Sequence, residues 1–170
     1  MVASHNDNLV SHLPSLSPSS CPEACEPTTF TLRDISYLRY EVSPYMPESQ
    51  PNSTELAFEL VNEANGISTG CACQNVMSHG QWADDSHHWY ACIDRSITVG
   101  NQQYSVRTSA LVSWDDWQLA INQTWVCDDG AMVSQVSALT LAPNCTENRT
   151  ASQYIKECTA PDIQVTATTQ

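Results

Sequence analysis

Cys71-Ala72-Cys73 opens, and Trp89-Tyr90-Ala91-Cys92 closes, a stretch whose middle is polar and carries His79, Asp84, Asp85, His87 and His88. A cystine spanning a polar loop, with an aromatic pair just before the closing cysteine, is how a small secreted β-domain closes a hairpin that burial alone would not hold. The stretch therefore predicts a disulfide-stapled β-domain, with strands before it to lean on and further strands and bridges after it.

The 170 residues suit one domain and are enough to bury a core. Eight cysteines (Cys21, Cys25, Cys71, Cys73, Cys92, Cys127, Cys145 and Cys158) form an even set, which in a chain this short reads as a disulfide framework made in an oxidising compartment. Cys71-x-Cys73 and Cys21-x3-Cys25 lack the paired Cys-x2-Cys spacing that zinc sites favour. Four sequons point to the same compartment: Asn52-Ser53-Thr54, Asn122-Gln123-Thr124, Asn144-Cys145-Thr146 and Asn148-Arg149-Thr150. Met1 to Asn6 lack the basic start and apolar run of a signal peptide, so the sequence reads as a mature form, and no segment has the apolar length of a membrane span. A soluble, extracellular protein is expected.

Six Lys and Arg against 19 Asp and Glu leave a net charge of −13, with Lys156 the only lysine. Such a surface repels phosphate backbones and anionic lipid, which argues against nucleic-acid and membrane partners and favours a basic one. Acidity also serves solubility alone.

Residues 1–20, rich in Ser, Pro and His, read as a flexible lead-in, and the single disulfide-rich β-domain is expected over 21–170. From Phe30 the apolar residues alternate. Phe30 and Leu32 share one face; Ser36, Leu38, Tyr40 and Val42 then fall on the other, which places a β-bulge at Asp34. Leu56, Phe58 and Leu60 alternate with Ala57, Glu59 and Val61 up to an Asn65-Gly66 turn. A hairpin turns at Val99-Gly100-Asn101-Gln102. In the clearest strand, Trp117, Leu119, Ile121, Trp125 and Cys127 lie on one face and Gln118, Ala120, Asn122, Thr124 and Val126 on the other, with the Asn122 sequon on the polar side. Asp128-Asp129-Gly130 turns the chain back. The polar segment 143–158, bracketed by Cys145 and Cys158, reads as a stapled surface loop, and Ile163, Val165 and Ala167 supply a last strand. About eight to ten short strands with turn signals between them predict an all-β fold, an antiparallel β-barrel or β-sandwich.

Cys21-Pro22, the strand with Asp34-Ile35-Ser36-Tyr37, the Leu56-Phe58-Leu60 strand, Asp85-Ser86-His87-His88-Trp89-Tyr90-Ala91-Cys92, the strand with Leu119 and Gln123, and the late pair Cys145 and Cys158 occur in an order that resembles the fungal secreted family typified by the Alternaria major allergen. The resemblance spans roughly residues 21 to 168, and Trp-Tyr-x-Cys is its distinctive element. It implies a β-barrel, often dimeric, secreted by a fungus, with no established catalytic residues, and links to plant recognition, plant defence proteins and small aromatic ligands; no cofactor is expected. Its first bridge maps onto Cys92 with Cys73 or Cys71, its second onto Cys145 with Cys158. Cys21, Cys25 and Cys127 depart from the pattern. Either further intrachain bridges form, such as Cys25 to Cys127, or the dimer linkage differs.

Three sets of residues invite a chemical reading. His79, His87 and His88 beside Asp84 and Asp85 have the ligand types for zinc or copper, but adjacent His87 and His88 point to opposite faces of an extended chain, and a solvated loop accounts for them. Asp84-Asp85, Asp115-Asp116 and Asp128-Asp129 suggest paired glycosidase carboxylates, although Asp pairs are ordinary turn chemistry. Among the tryptophans, Trp117 and Trp125 are expected in the core, and Trp82 and Trp114 as exposed anchors. The reading that results is a secreted, effector- or elicitor-like fungal protein acting without catalysis or metal. It would bind a host extracellular protein, preferably basic, or a small aromatic ligand through Trp82, His87, His88, Trp114, Asp115 and Asp116. A carbohydrate-active or metal-dependent enzyme and a structural cell-wall protein are the alternatives.

Overall fold

Period-two alternation organises nearly the whole of the computed structural model, which describes residues 28–42 and 52–170. The expected lead-in over 1–20, the start of the domain and the Pro44 to Pro51 loop lie outside those residues. In the larger antiparallel sheet, β1 (Thr29–Val42), β2 (Ser53–Asn62), β3 (Ser68–Ser78) and the short β4 (Gln81–Trp82) are consecutive neighbours. The second contains β5 (Tyr90–Ala91), β7 (Gln102–Ser113), β8 (Gln118–Val126) and β9 (Met132–Thr140), with β6 (Arg95–Val99) also on β7. The chain then returns to the first sheet as β10 (Asn144–Arg149) and β11 (Gln153–Ala160), so that its order is β10-β11-β1-β2-β3-β4. The fold is all-β, as the alternation predicts.

β1 carries the predicted bulge. Arg33 pairs with Glu59 but Ser36 with Ala57, leaving one extra residue on β1, and Asp34 has φ 52°. The slip turns Phe30, Leu32 and Ile35 into the core and puts Leu38 outside at 46% exposure.

Two seams join the sheets. At one, β12 (Ile163–Thr166) pairs with the start of β1, and β13 (Thr168–Thr169) with β9. Buried Ala167 lies between them, its N–H bonded to Thr28 O at 2.8 Å, so a single strand crosses from sheet to sheet. At the other seam Cys71 is bonded to Cys92, Ile93 N–H donates to Gly70 O at 2.9 Å, and Cys92 N–H to Thr108 O at 2.9 Å. A Cβ on Gly70 would meet Ile93 Cδ1 at 3.1 Å, so glycine suits the close approach there. The 71–92 cystine therefore does not close a hairpin as expected. It ties β3 of one sheet to the end of β5 in the other, because β5 pairs with β7 rather than turning back on β3.

The cysteine expectation also needs correcting. Cys73 is a buried free thiol and not part of a bridge. Cys71 and Cys73 share the inward face, but two residues along a strand is about 6.6 Å, which carries Cys73 past the docking point of Cys92. Cys145 and Cys158 are bonded as directly opposed residues of the β10–β11 hairpin, so segment 143–158 is a two-stranded edge rather than a loop. Its polarity arises because all of β10 is exposed. Cys127 is disulfide-bonded, and Cys21 and Cys25 lie outside the described residues.

The interior is layered. Along β8 the inward positions read Leu119, Ile121, Gln123, Trp125, and along β7 Val106, Thr108, Ala110, Val112. Leu119, Ile121, Ala110 and Val112 join Phe30, Leu32, Leu56, Phe58 and Leu60 in the main apolar cluster. Val106 and Trp125 fall outside that cluster, on the far side of a polar layer. In that layer Asn62 Nδ2 donates to Gln123 Oε1 at 2.6 Å, Gln123 Nε2 to Thr108 Oγ1 at 2.9 Å, and Thr28 Oγ1 to Asn62 Oδ1 at 3.2 Å. Buried amides survive here because each meets a partner.

Candidate functional site

Above the main apolar cluster, at the end opposite Trp125, the sheets part around a pocket of ≈ 700 Å³. Tyr37 and Arg39 reach it from β1 and Thr54 from β2, with Leu119 and Leu139 from β8 and β9. Two connections complete the wall: the segment from Trp82 to Ser86, and the β7–β8 turn with Trp114 and Asp115.

Local chemistry positions both. His79 (φ 52°) and Gly80 (φ 77°) are the central residues of a two-residue hairpin between Ser78 and Gln81, the double positive φ that a type I′ turn requires. That turn brings Trp82 back beside Met77. Buried Asn75 then holds the following backbone, donating to Ala83 O at 2.9 Å and accepting from Ala83 N–H at 3.2 Å. Asp85 is the latch. Its Oδ2 accepts from Trp114 Nε1 at 2.8 Å and from the Tyr90 hydroxyl, joining the loop to both neighbouring segments. Burial, and after it the hydrogen bond to and charge of Asp85, push the Tyr90 phenol well above its ordinary range.

The electrostatics are uneven. Asp84, Asp85 and Asp115 bring three carboxylates to the lining against one guanidinium, that of Arg39. Arg39 is already engaged, with Nε 2.5 Å from Glu41 Oε1 and its guanidinium 5.0 Å from the centre of the Trp82 ring. Asp84 accepts from Ser86 Oγ at 2.8 Å and Ser86 N–H at 3.2 Å, bonds that hold its carboxyl below the usual range. Thr54 is only 5% exposed, and its Oγ1 has no hydrogen-bond partner among the described residues. An unpaired buried hydroxyl is costly, so a ligand group able to bond it gains.

The pocket gathers some of the residues singled out from sequence and leaves others apart. Trp82, Trp114, Asp84, Asp85 and Asp115 line it. Trp82 and Trp114 are half-buried walls rather than exposed anchors. His87 and His88 are exposed beyond it, with His88 stacked edge-on against Tyr90 at 4.6 Å, and Trp89 is 41% exposed. Asp116 is exposed and accepts from Ser113 Oγ at 3.3 Å. Trp117, expected in the core, is half-buried at the turn. Its φ of 55° swings the ring off the strand face onto Tyr37, 4.8 Å away edge-to-face. Trp125 is fully buried as expected.

Among the described residues no three His, Cys, Asp or Glu side chains gather as metal ligands. Asp115 and Asp128 sit in the turns at opposite ends of nine-residue β8, about 30 Å apart at ~3.3 Å per residue. Glycosidase carboxylates work within about 10 Å, so these two cannot act as one pair. Sequence reasoning passed over Tyr37, Arg39, Thr54 and Asn75. The available signal was parity, since Asn75 follows Cys71 and Cys73 on the inward face of β3, where an amide needs a reason to be.

Neither a protein-family model nor a curated protein matches the sequence. Two crystal structures of the Alternaria alternata allergen Alt a 1 align with the chain. One is 19% identical and covers 89% of this chain and 96% of that one, with a TM-score of 0.45. The other is 17% identical and covers 84% and 94%, also with a TM-score of 0.45. Both belong to the family that the sequence resembles.

Proposed function

We propose that this chain is a secreted protein that acts by binding, and that its ligand is a small molecule with an aromatic or apolar body and a positively charged group. The observation that carries this is the ≈ 700 Å³ pocket walled by Tyr37, Trp82 and Trp114 and edged by three carboxylates. The volume lies in the range of small-molecule sites, which are mostly apolar with a few placed polar groups. Aromatic faces and carboxylates both attract a cation, and Arg39, held by Glu41, offers little to an anion. The disulfides and sequons support the extracellular reading, in which the ligand comes from host or surroundings.

Titration calorimetry with tyramine against 4-hydroxybenzoate tests the proposal, since the two share a phenol and differ in charge. Tyramine should bind and the acid should not. Trp114→Phe, which keeps a ring but removes the indole N–H that Asp85 accepts, should weaken tyramine by about 3- to 10-fold, the worth of one aromatic or charged contact. Binding should persist into acid and fade where Asp84 protonates, below the usual carboxylate range, because its bonds from Ser86 favour the ionised form. Equal binding of both compounds, or of neither, defeats the reading. A second reading, a basic host protein on the acidic surface, is favoured by the net charge of −13 and by exposed Trp89. It predicts a partner from host extracellular fluid that is released at high salt.

A further inference from the structure

Among the described residues β10 is the outermost strand of the larger sheet, with no strand paired beyond it, and all six of its residues are exposed. An uncovered edge offers its N–H and C=O groups to any other strand, including that of a second copy. The hairpin register sorts its side chains by face. Cys145 is bonded to Cys158, Glu147 Oε1 lies 3.2 Å from Lys156 Nζ, and the Arg149 guanidinium lies 4.7 Å from the Tyr154 ring centre, so these three share one face. Asn144, Thr146 and Asn148 occupy the other.

That outer face carries Leu38 and Val76, two of the large apolar side chains left exposed among the described residues. One cross-strand row runs Asn148, Ile155, Tyr40, Ser53, Val76, and the next runs Thr146, Glu157, Leu38, Glu55, Gln74. Leu38 is 46% and Val76 42% exposed. Asn144 and Asn148 each open a sequon. The other two sequon asparagines are half-buried and already bonded, Asn52 Oδ1 to Val42 N–H at 2.7 Å and Asn122 Oδ1 to Ser134 Oγ at 2.9 Å.

We infer that Asn144 and Asn148 are the N-glycosylated positions, and that their glycans cover the β10 edge and the adjoining Leu38, Tyr40 and Ile155 face against self-association. The transfer needs the lipid-pyrophosphate-linked oligosaccharide of the secretory pathway. A bond forms between Asn Nδ2 and the anomeric carbon, the bond from that carbon to the pyrophosphate breaks, the lipid pyrophosphate leaves with the electron pair, and the amide proton passes to a base. The inference rests on the secreted reading but not on the pocket, so a failure to bind tyramine leaves it standing.

The test is to secrete the full chain from yeast and map the sites by glycosidase release in ¹⁸O water with peptide mass spectrometry. Asn144 and Asn148 should be modified in most molecules, and Asn52 and Asn122 should not. Removing the glycans from the folded protein should then cause concentration-dependent association in sedimentation, and Leu38→Glu should reverse it. The double variant N144Q/N148Q should behave like the deglycosylated protein; if it is not secreted, enzymatic release supplies the same readout. Unmodified Asn144 and Asn148, equal occupancy at Asn122, or a deglycosylated protein that sediments unchanged would each overturn the inference.

Discussion

The two ends of the interior are built from the same strands and differ in how they finish. At one end, the last inward side chain of β8 is Trp125, which is 0% exposed. The chain then turns tightly, with Cys127 N–H bonded to Ala131 O at 2.8 Å and Gly130 N–H to Cys127 O at 2.9 Å. At the other, Leu119 and Val112 lead into a turn whose tryptophans are spent on its rim, Trp114 on Asp85 and Trp117 on Tyr37. One indole inside fills its end, and two indoles drawn aside leave a pocket. Side-chain volume alone does not separate the ends. The direction in which the turn aims that volume does.

The largest effect should come from the filled end. Trp125→Ala should cost about 3–5 kcal/mol in denaturant unfolding, as expected for emptying a core position of that size. A loss below about 1 kcal/mol would mean that this end is not packed as described. The polar layer between the ends should matter next. Gln123→Met leaves Asn62 Nδ2 and Thr108 Oγ1 without their amide partner and should cost about 1–3 kcal/mol, an asymmetric price since a buried orphan is worse than a missing pair. If Gln123→Met were neutral, the layer would be a packing feature rather than a hydrogen-bonded one.

The effect that is smallest at neutral pH concerns the pocket end. Burial first, and then the charge of Asp85, push the Cys73 thiol up to about 12 from its ordinary 9.0. The folded state thus keeps a proton that the unfolded state releases. Its contribution is fully present below pH 9 and is lost as pH rises from there toward 12, so stability should decline across that window. At pH 8, iodoacetamide should label Cys73 only after unfolding. Rapid labelling of the native protein would show that the pocket end opens to solvent down to β3.

Much of this architecture could be read before any coordinates, and particular residues show why. The phase change around Asp34 exposed the bulge because period-two alternation records which face is buried. Asn65-Gly66, Gly100 and Gly130 marked turns because a positive φ restricts residue choice, and the three glycines have φ of 68°, 60° and 83°. His79, by contrast, reads from the sequence only as part of a solvated loop and is a turn residue with φ 52°, since a histidine carries no mark of its backbone angle. Trp117 looked like core for the same reason. The choice of Cys71 over Cys73 depended on where Ile93 meets Gly70, a contact between sheets that local pattern does not encode.

By itself, then, the sequence determined most of the strands, their buried faces, most of the turns and the presence of disulfides, because these follow from side-chain period and cysteine number along the chain. Tertiary structure alone decided which cysteine stayed free, which tryptophans became walls, and where space remained. Each of those depends on the distance between segments far apart in sequence, and that distance is set only when the two sheets close on each other.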